Sequence, residues 1–169
     1  MHDDLETVRD FFSRGGTLQA LVNLDPADLD HIYAYATQLF DLGDYAAAKR
    51  FYLLLSRLSH WNFDYWFALG LCCQRLAEHL EAVFCFGQAG LLRLDDPRPA
   101  YLAAQSYQFA GQPDNARKAL SSAIRGCMSC PEYAELRDEI MRQISILNAS
   151  GPPPSAEQGY GRGVCQSGS

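Results

Sequence analysis

Two short stretches of the sequence carry residue types that hold zinc in other proteins. His79 and Glu81 are separated by one residue, and Cys127 and Cys130 form a Cys-x-x-Cys pair. This arrangement is superficially similar to the His-x-Glu and Pro-Cys-x-x-Cys pattern of zinc deaminases, in which the metal activates a water and the Glu transfers protons. Here Gly126 stands where that pattern has Pro, and no strand pattern separates the two stretches. We instead expect His79 to lie exposed in a turn between two helices.

The cysteines are predicted to be free thiols rather than metal ligands or disulfides. A structural zinc site needs four ligands, and the Cys127/Cys130 pair has no second pair to complete it. Cys72, Cys73 and Cys85 fall inside predicted helices, and the reducing cytosol disfavours disulfides. No P-loop, nucleophile elbow or Gly-rich dinucleotide loop is present. We therefore expect no metal, no cofactor and no catalysis.

The helices that position these residues follow from a repeat. Trp66-x-x-Leu69-Gly70, then Ala82-x-x-x-Phe86 and Ala89, has the order and spacing of a tetratricopeptide repeat, a helix–turn–helix unit of 34 residues. Stepping by 34 in both directions, Gly70 aligns with Ala36 and Ala104, Ala82 with Ala48 and Ala116, Phe86 with Tyr52 and Leu120, and Ala89 with Leu55 and Ala123. The small residues let paired helices approach closely, and the large ones fill the space around the contact.

The sequence therefore predicts an all-α fold, a helical solenoid of three tandem tetratricopeptide repeats over residues 29–62, 63–96 and 97–130. The predicted helix pairs run over residues 26–42 and 45–58, 63–76 and 80–92, and 98–109 and 113–124. Residues 1–28 are predicted to hold short helices, the first over 5–14 and a second from Thr17. Within 131–148, residues 132–147 read as the capping helix that a solenoid needs on its last repeat. The Pro/Gly/Ser-rich stretch 149–169 is predicted to be disordered.

Composition excludes several classes of function. The 169 residues carry 14 Lys and Arg against 20 Asp and Glu, for a net charge of −6. The basic residues are scattered, which disfavours nucleic acid as a partner. No apolar run approaches the roughly 20 residues that span a bilayer, and the acidic N-terminus lacks a secretory h-region. We therefore expect a cytoplasmic protein with no membrane partner.

The first helix of each repeat should line a concave groove, with the second, fifth, ninth and twelfth residues of the repeat facing it. These residues are Asp30, Tyr33, Thr37 and Phe40 in the first repeat, Asp64, Phe67, Leu71 and Gln74 in the second, and Arg98, Tyr101, Gln105 and Gln108 in the third. Aromatic walls with a few polar groups suit an extended peptide with apolar or Pro anchors. The alternative is that Tyr33, Phe40 and Phe67 are core residues. Tyr33 and Thr37 exclude the Lys and Asn clamp by which some repeat domains grip an acidic C-terminal tail.

Several segments around the repeats resemble one family. They are Phe11 to Leu21 (FFSRGGTLQAL), Leu39 to Tyr45 (LFDLGDY), Leu58 to Trp61 (LSHW) and Asp96 to Pro99 (DPRP). With three repeats and an acidic balance, the chain is similar from about residue 5 to 147 to the class II chaperones of bacterial type III secretion systems. Repeat residues alone are unspecific, so the Gly-Gly-Thr-Leu segment and the Asp-Pro-Arg junction carry the specificity.

The resemblance implies a chaperone that binds an extended N-terminal segment of a hydrophobic translocator and keeps it soluble and competent for export. It adds Tyr45, His60 and Trp61 to the groove residues, while Thr37 departs from the aromatic residue common in the family. It also implies a possible homodimer through the N-terminal helix, with Leu5, Val8, Phe11 and Phe12 in contact, against the alternative that this helix packs on its own first repeat. Some family members assist a transcription activator. The alternative functions are chaperoning a secreted effector, or serving as an adaptor or scaffold for a signalling or regulatory protein.

Overall fold

The computed structural model describes Arg14, Thr17, residues 25–128 and residues 131–149, and these contain helices and no strand. The helices are α1 (Pro26–Asp41), α2 (Tyr45–Leu58), α3 (Phe63–Arg75), α4 (His79–Leu92), α5 (Arg98–Phe109), α6 (Pro113–Met128) and α7 (Ala134–Ala149), with a 3-10 turn at Pro131–Tyr133. The all-α prediction is confirmed. The predicted N-terminal helices with their dimerisation residues, Cys130 and the predicted disordered tail lie outside the described residues.

Polar side chains set the starts of the helices. Asp25 precedes Pro26, and its carboxylate accepts from the backbone N–H of Ala27 at 3.0 Å. The carboxylate of Asp44 accepts from Ala47 N–H at the start of α2. At the start of α3, the side-chain oxygen of Asn62 accepts from the backbone N–H of Asp64. Each cap satisfies a backbone donor that the first turn of a helix leaves without a partner.

Consecutive helices pack as antiparallel pairs at the small residues of the repeat. Ala36, Ala48 and Ala82 are fully buried. At Gly70 an added Cβ would come within 2.6 Å of the Phe86 ring, so α3 and α4 touch at a distance that only glycine permits. Because an interior tolerates little overlap, this contact fixes the spacing of the second repeat.

The core is divided along the solenoid. One cluster of buried side chains extends from Leu29 in α1 to Ala103 in α5 and fills the first two repeats. A second cluster joins Leu120 and Ala123 of α6 to Ile140 of α7. The helix after the third repeat therefore covers apolar surface that the repeat would otherwise expose.

Three local expectations need correction. His79 is the first residue of α4 rather than part of a turn, and it is half-buried with its ring stacked on Phe109 at 5.1 Å. The chain turns sharply at Ala77, where φ is +60°, so α4 has already begun at His79. Helix α6 continues to Met128 rather than 124, and the last helix begins at Ala134 after a 3-10 turn.

Candidate peptide-binding groove

The first helices of the repeats, α1, α3 and α5, are linked to one another by side chains along one face, here called the inner face. Tyr33 on α1 lies half-buried, with its ring 5.5 Å from the ring of Tyr52 on α2 and 5.6 Å from that of Tyr65 on α3. Burial, then the nearby charge of Asp64, raises the pKa of the Tyr33 hydroxyl. The hydroxyl is therefore neutral across the physiological range and available as a hydrogen-bond donor.

Thr37 has its hydroxyl engaged within the protein. The hydroxyl donates to the carbonyl oxygen of Tyr33 at 3.0 Å and lies 3.0 Å from the hydroxyl of Tyr52. Since a threonine hydroxyl has one proton, it accepts from Tyr52. Burial raises the pKa of Tyr52 to about 12, so this donor keeps its proton.

The start of the groove is acidic. Helix α1 carries three Asp residues and no Lys or Arg. Asp30 and Asp64 are both exposed, and both act on Tyr65, whose pKa is raised by burial first and by Asp30 next. We expect this end to favour an apolar or basic segment over an acidic one.

Phe67 is half-buried among other aromatic rings. Its ring stacks on Phe63 at 5.3 Å and meets the edge of buried Phe86 at 5.8 Å. The guanidinium of Arg98 lies 5.4 Å from the ring centre of Phe67 and is held by Asp96, whose carboxylate accepts from Arg98 Nε at 2.9 Å. A ligand would therefore meet both the ring and this cation.

The later part of the groove is lined by amides. Gln74 on α3 donates through Nε2 to the carbonyl of Leu102 and to the hydroxyl of Ser106, both at 3.0 Å, which ties α3 to α5. The Tyr101 hydroxyl accepts from Gln143 of α7 at 3.2 Å. Gln143 is a residue that the sequence reading missed, because the capping helix was assigned no role in the groove. Leu71 and Gln105 lie half-buried beside these groups.

Four of the predicted site residues form two separate pairs of rings. Phe40 and Tyr45 meet at 5.1 Å where α1 ends and α2 begins. His60 and Trp61 meet at 4.7 Å in the loop after α2. The 14 residues of α2 separate the two pairs by about 20 Å at 1.5 Å per residue. Trp61 is 58% exposed and lines a polar recess of about 390 Å³ with Asp64 and Arg93, at the junction of the first and second repeats.

The two interpretations of the aromatic residues are compatible. Tyr33, Phe40 and Phe67 pack against the core of the first two repeats, and each keeps part of its ring exposed. A side chain that is fixed by the core on one edge and open on the other is suited to hold an apolar anchor without further ordering. Their role in binding stays a prediction.

Within the described part of the chain, which does not include Cys130, no group of three metal-binding side chains comes together. Cys127 is buried in the second core cluster, where burial raises the pKa of its thiol. Its surroundings are those of a packed, protonated thiol. Across the same residues, no helix is both long enough and apolar enough to span a bilayer.

The fold and the repeat define the class of the protein. Residues 29–62 match the family model described as tetratricopeptide repeat. The chain is 23% identical over 137 residues to the low calcium response locus protein H of Yersinia pseudotuberculosis, which covers 81% of this chain and 82% of the relative. It is thus a tetratricopeptide-repeat solenoid with a relative across most of its length.

Two solved structures from type III secretion systems are similar to this chain. A type III secretion complex from Aeromonas hydrophila matches with a TM-score of 0.82 at 23% identity, over 86% of this chain and 97% of that chain. The type III secretion chaperone SycD of Yersinia enterocolitica, solved with a peptide of the translocator YopD, matches with a TM-score of 0.71 at 20% identity, over 75% and 97% of the two chains. The resemblance to the class II chaperones of type III secretion systems, stated above from the sequence, is confirmed.

Proposed function

We propose that this chain is a cytoplasmic bacterial chaperone of a type III secretion translocator. It binds an extended segment near the translocator's N-terminus along the inner face, keeps the protein soluble until export, and catalyses no reaction. The observation that carries the proposal is the inner face itself, in which half-buried rings and bonded amides line the first helices of a fold shared with a chaperone solved with a translocator peptide.

Each group on the inner face has a part in this binding. The exposed edges of Tyr33 and Phe40 and the side chain of Leu71 receive apolar anchors. The Tyr33 hydroxyl is a neutral donor to a backbone carbonyl of the segment, because its pKa is raised by burial. The carbonyl oxygen of Gln74 and the amide of Gln105 offer further groups for the extended backbone, which has no internal hydrogen bonds of its own.

The inner face is assembled before the client arrives. Thr37, Gln74 and Tyr101 are each bonded to a neighbouring helix, so little side-chain ordering accompanies binding. Affinity then depends on a few anchors, as is general for such interfaces. An apolar segment held along this face is withheld from aggregation.

The test is co-expression of the chain with a translocator from the same bacterium, followed by affinity capture from the soluble fraction. The Tyr33→Ala/Phe40→Ala variant should lower the captured translocator at least tenfold. The matched control is Tyr35→Ala, since Tyr35 lies on the same helix with its ring against Phe51 of α2 at 5.2 Å. Unchanged capture by the double variant would place recognition elsewhere on the molecule. Capture of a soluble effector or regulator in place of a translocator would favour the effector-chaperone or adaptor function.

A further inference from the structure

Helix α4 lacks the polar face that an outer helix of a solenoid normally presents to water. Its sequence HLEAVFCFGQAGLL has one charged residue, Glu81. Leu80, Phe84 and Leu91 are 58%, 59% and 70% exposed. With Gly87 they fall within an arc of about 60° at 100° per residue, so they form one apolar stripe. A helix that is apolar on every side is ordinarily covered.

Recesses flank this stripe on both sides. Between α2 and α4 lies a cavity of about 460 Å³ that is mostly apolar, with Leu53, Trp66 and Phe84 in its lining. Between α4 and α6 lies a second cavity of about 290 Å³, lined in part by Gly87, Leu91 and Ser122. An added Cβ at Gly87 would meet nothing within 4 Å, which leaves room for another backbone to come close. The surface is a ridge with a groove on each side, the shape that receives the side chains of a packed helix.

The charges around the stripe have the opposite sign to the chain as a whole. The outer helices α2, α4 and α6 carry Lys49, Arg50, Arg57, Arg117, Lys118 and Arg125 against Glu81 and Asp114, while the chain has a net charge of −6. Lys49 pairs with Glu78, and Arg117 pairs with Asp114. Within the described residues, Arg50 and Arg57 on one side and Lys118 and Arg125 on the other make no ion pair. Arg57 lines the recess beside Phe84, and all four cations are exposed and can receive carboxylates.

We propose that this outer face, comprising the stripe Leu80, Phe84, Gly87 and Leu91 with its two flanking recesses, binds an amphipathic helix of another protein whose apolar stripe is bordered by Asp and Glu. The outer and inner faces lie on different helices, so both are occupied at once. The proposal goes beyond the groove function and does not depend on it.

Charge and shape favour this occupant over two others. A second copy docked by the same face would set one net-positive surface against another, because a two-fold interface pairs a surface with itself. A lipid surface would leave the two recesses unfilled, whereas the side chains of a helix fill them.

The test uses the full chain and two synthetic 18-residue peptides labelled with fluorescein. Both carry Leu at helical spacing on one face, with Glu beside the stripe in one peptide and Lys in the other. Fluorescence anisotropy should give at least tenfold tighter binding of the Glu peptide. Phe84→Glu and Leu91→Glu should each weaken it at least tenfold, and Arg57→Glu/Arg125→Glu should reverse the preference. Leu42→Glu, at a site 82% exposed after α1, is the control and should leave binding unchanged.

Variants of the two faces separate this proposal from the groove function. Phe84→Glu should retain the translocator, and Tyr33→Ala/Phe40→Ala should retain the Glu peptide. Circular dichroism checks that each variant is folded, and Leu91→Glu serves if Phe84→Glu is not. Equal binding of both peptides, or loss of the Glu peptide only in the inner-face variant, overturns the proposal. So does light scattering that shows a dimer broken by Phe84→Glu, or binding to phosphatidylglycerol vesicles without binding to the peptide.

Discussion

The inner and outer faces of this solenoid are built from the same repeat and differ in how their side chains are satisfied. On the inner face, polar groups bond across helices, as in the contacts of Thr37 with Tyr52 and of Gln74 with Ser106. On the outer face, Phe84 and Leu91 are exposed, and Arg57 has no ion pair within the described residues. Polar groups of the inner face are thus satisfied within the protein, whereas the outer face leaves large apolar side chains exposed.

The difference follows from the positions that the repeat constrains. The small residues that set the helix spacing, such as Gly70 and Ala82, lie between the helices and point to neither face. The residues on the faces are free to vary, so a polar network can develop on one and an apolar stripe on the other without changing the fold. Variants can therefore disturb the spacing, the inner face or the outer face separately.

The largest expected effect on stability comes from disturbing the close contact between α3 and α4. Gly70→Ala places a Cβ 2.6 Å from the Phe86 ring and should lower the free energy of unfolding by about 2 kcal/mol. The matched variant Gly87→Ala adds a Cβ in open space on the exposed face of α4. It should raise the free energy of unfolding by about 0.5–1 kcal/mol. Urea unfolding followed by circular dichroism measures both, and equal effects would contradict the structural distinction between these glycines.

A smaller effect is expected from the polar network of the inner face. Gln74→Leu removes two hydrogen bonds and leaves Ser106, which is fully buried, without this donor. The free energy of unfolding should fall by about 1–2 kcal/mol. Gln108→Leu is the control, because Gln108 is exposed and its contact with Gln143 is long at 3.5 Å. Urea unfolding distinguishes the two. A loss as large in the control would show that the buried bonds have no special weight.

The sequence predicted the residues that set the spacing between paired helices better than the contacts on the two faces. Gly70, Ala82 and Phe86 could be placed from the period because a solenoid requires small and large residues to recur in phase. The hydrogen bond of Thr37 with Tyr52 and the position of Arg98 over Phe67 could not be predicted. They depend on which side chains of facing helices meet, within one repeat for Thr37 and between two repeats for Arg98. Trp61 and Tyr45 were grouped by resemblance and lie near opposite ends of α2.

The exposed stripe on α4 could not be predicted from the sequence, for a different reason. Phe84 and Leu91 occupy apolar positions in a helix that is apolar throughout, and periodicity cannot tell which face of such a helix is buried. Only the packing of α4 on α3 and α5 shows that one face is left open. The sequence does show that α4 carries a single charged residue among its 14 residues.

Acid should weaken the ion pair between Asp96 and Arg98, whose guanidinium lies over the ring of Phe67. Burial raises the pKa of Asp96, but its hydrogen bonds from Arg98 outweigh this and lower the pKa overall. A lowered pKa stabilises the fold above the unfolded value near 3.9, and the contribution is lost as the pH falls through the folded value. Asp96→Asn should therefore cost about 1 kcal/mol at pH 7, and the difference from the wild type should shrink below about pH 4. Urea unfolding at a series of pH values measures it, with Asp95→Asn as the exposed neighbouring control. A difference that stayed constant with pH would exclude this origin.

The smallest effect concerns the turn that joins inner helix α3 to outer helix α4. Gly43 and Gly111 adopt φ values of +84° and +71° in the turns of the first and third repeats, and Ala77 adopts +60° in the second. This region is costly for alanine and open to glycine. Ala77→Gly should therefore raise the free energy of unfolding by about 0.5–1 kcal/mol. Ala110→Gly is the matched control, because Ala110 ends α5 with φ −78°, and there the added freedom of the unfolded chain should make glycine destabilising. Since the turn lies outside both faces, Ala77→Gly should leave translocator capture and binding of the Glu peptide unchanged; a change in either would show that the turn sets the geometry of that face.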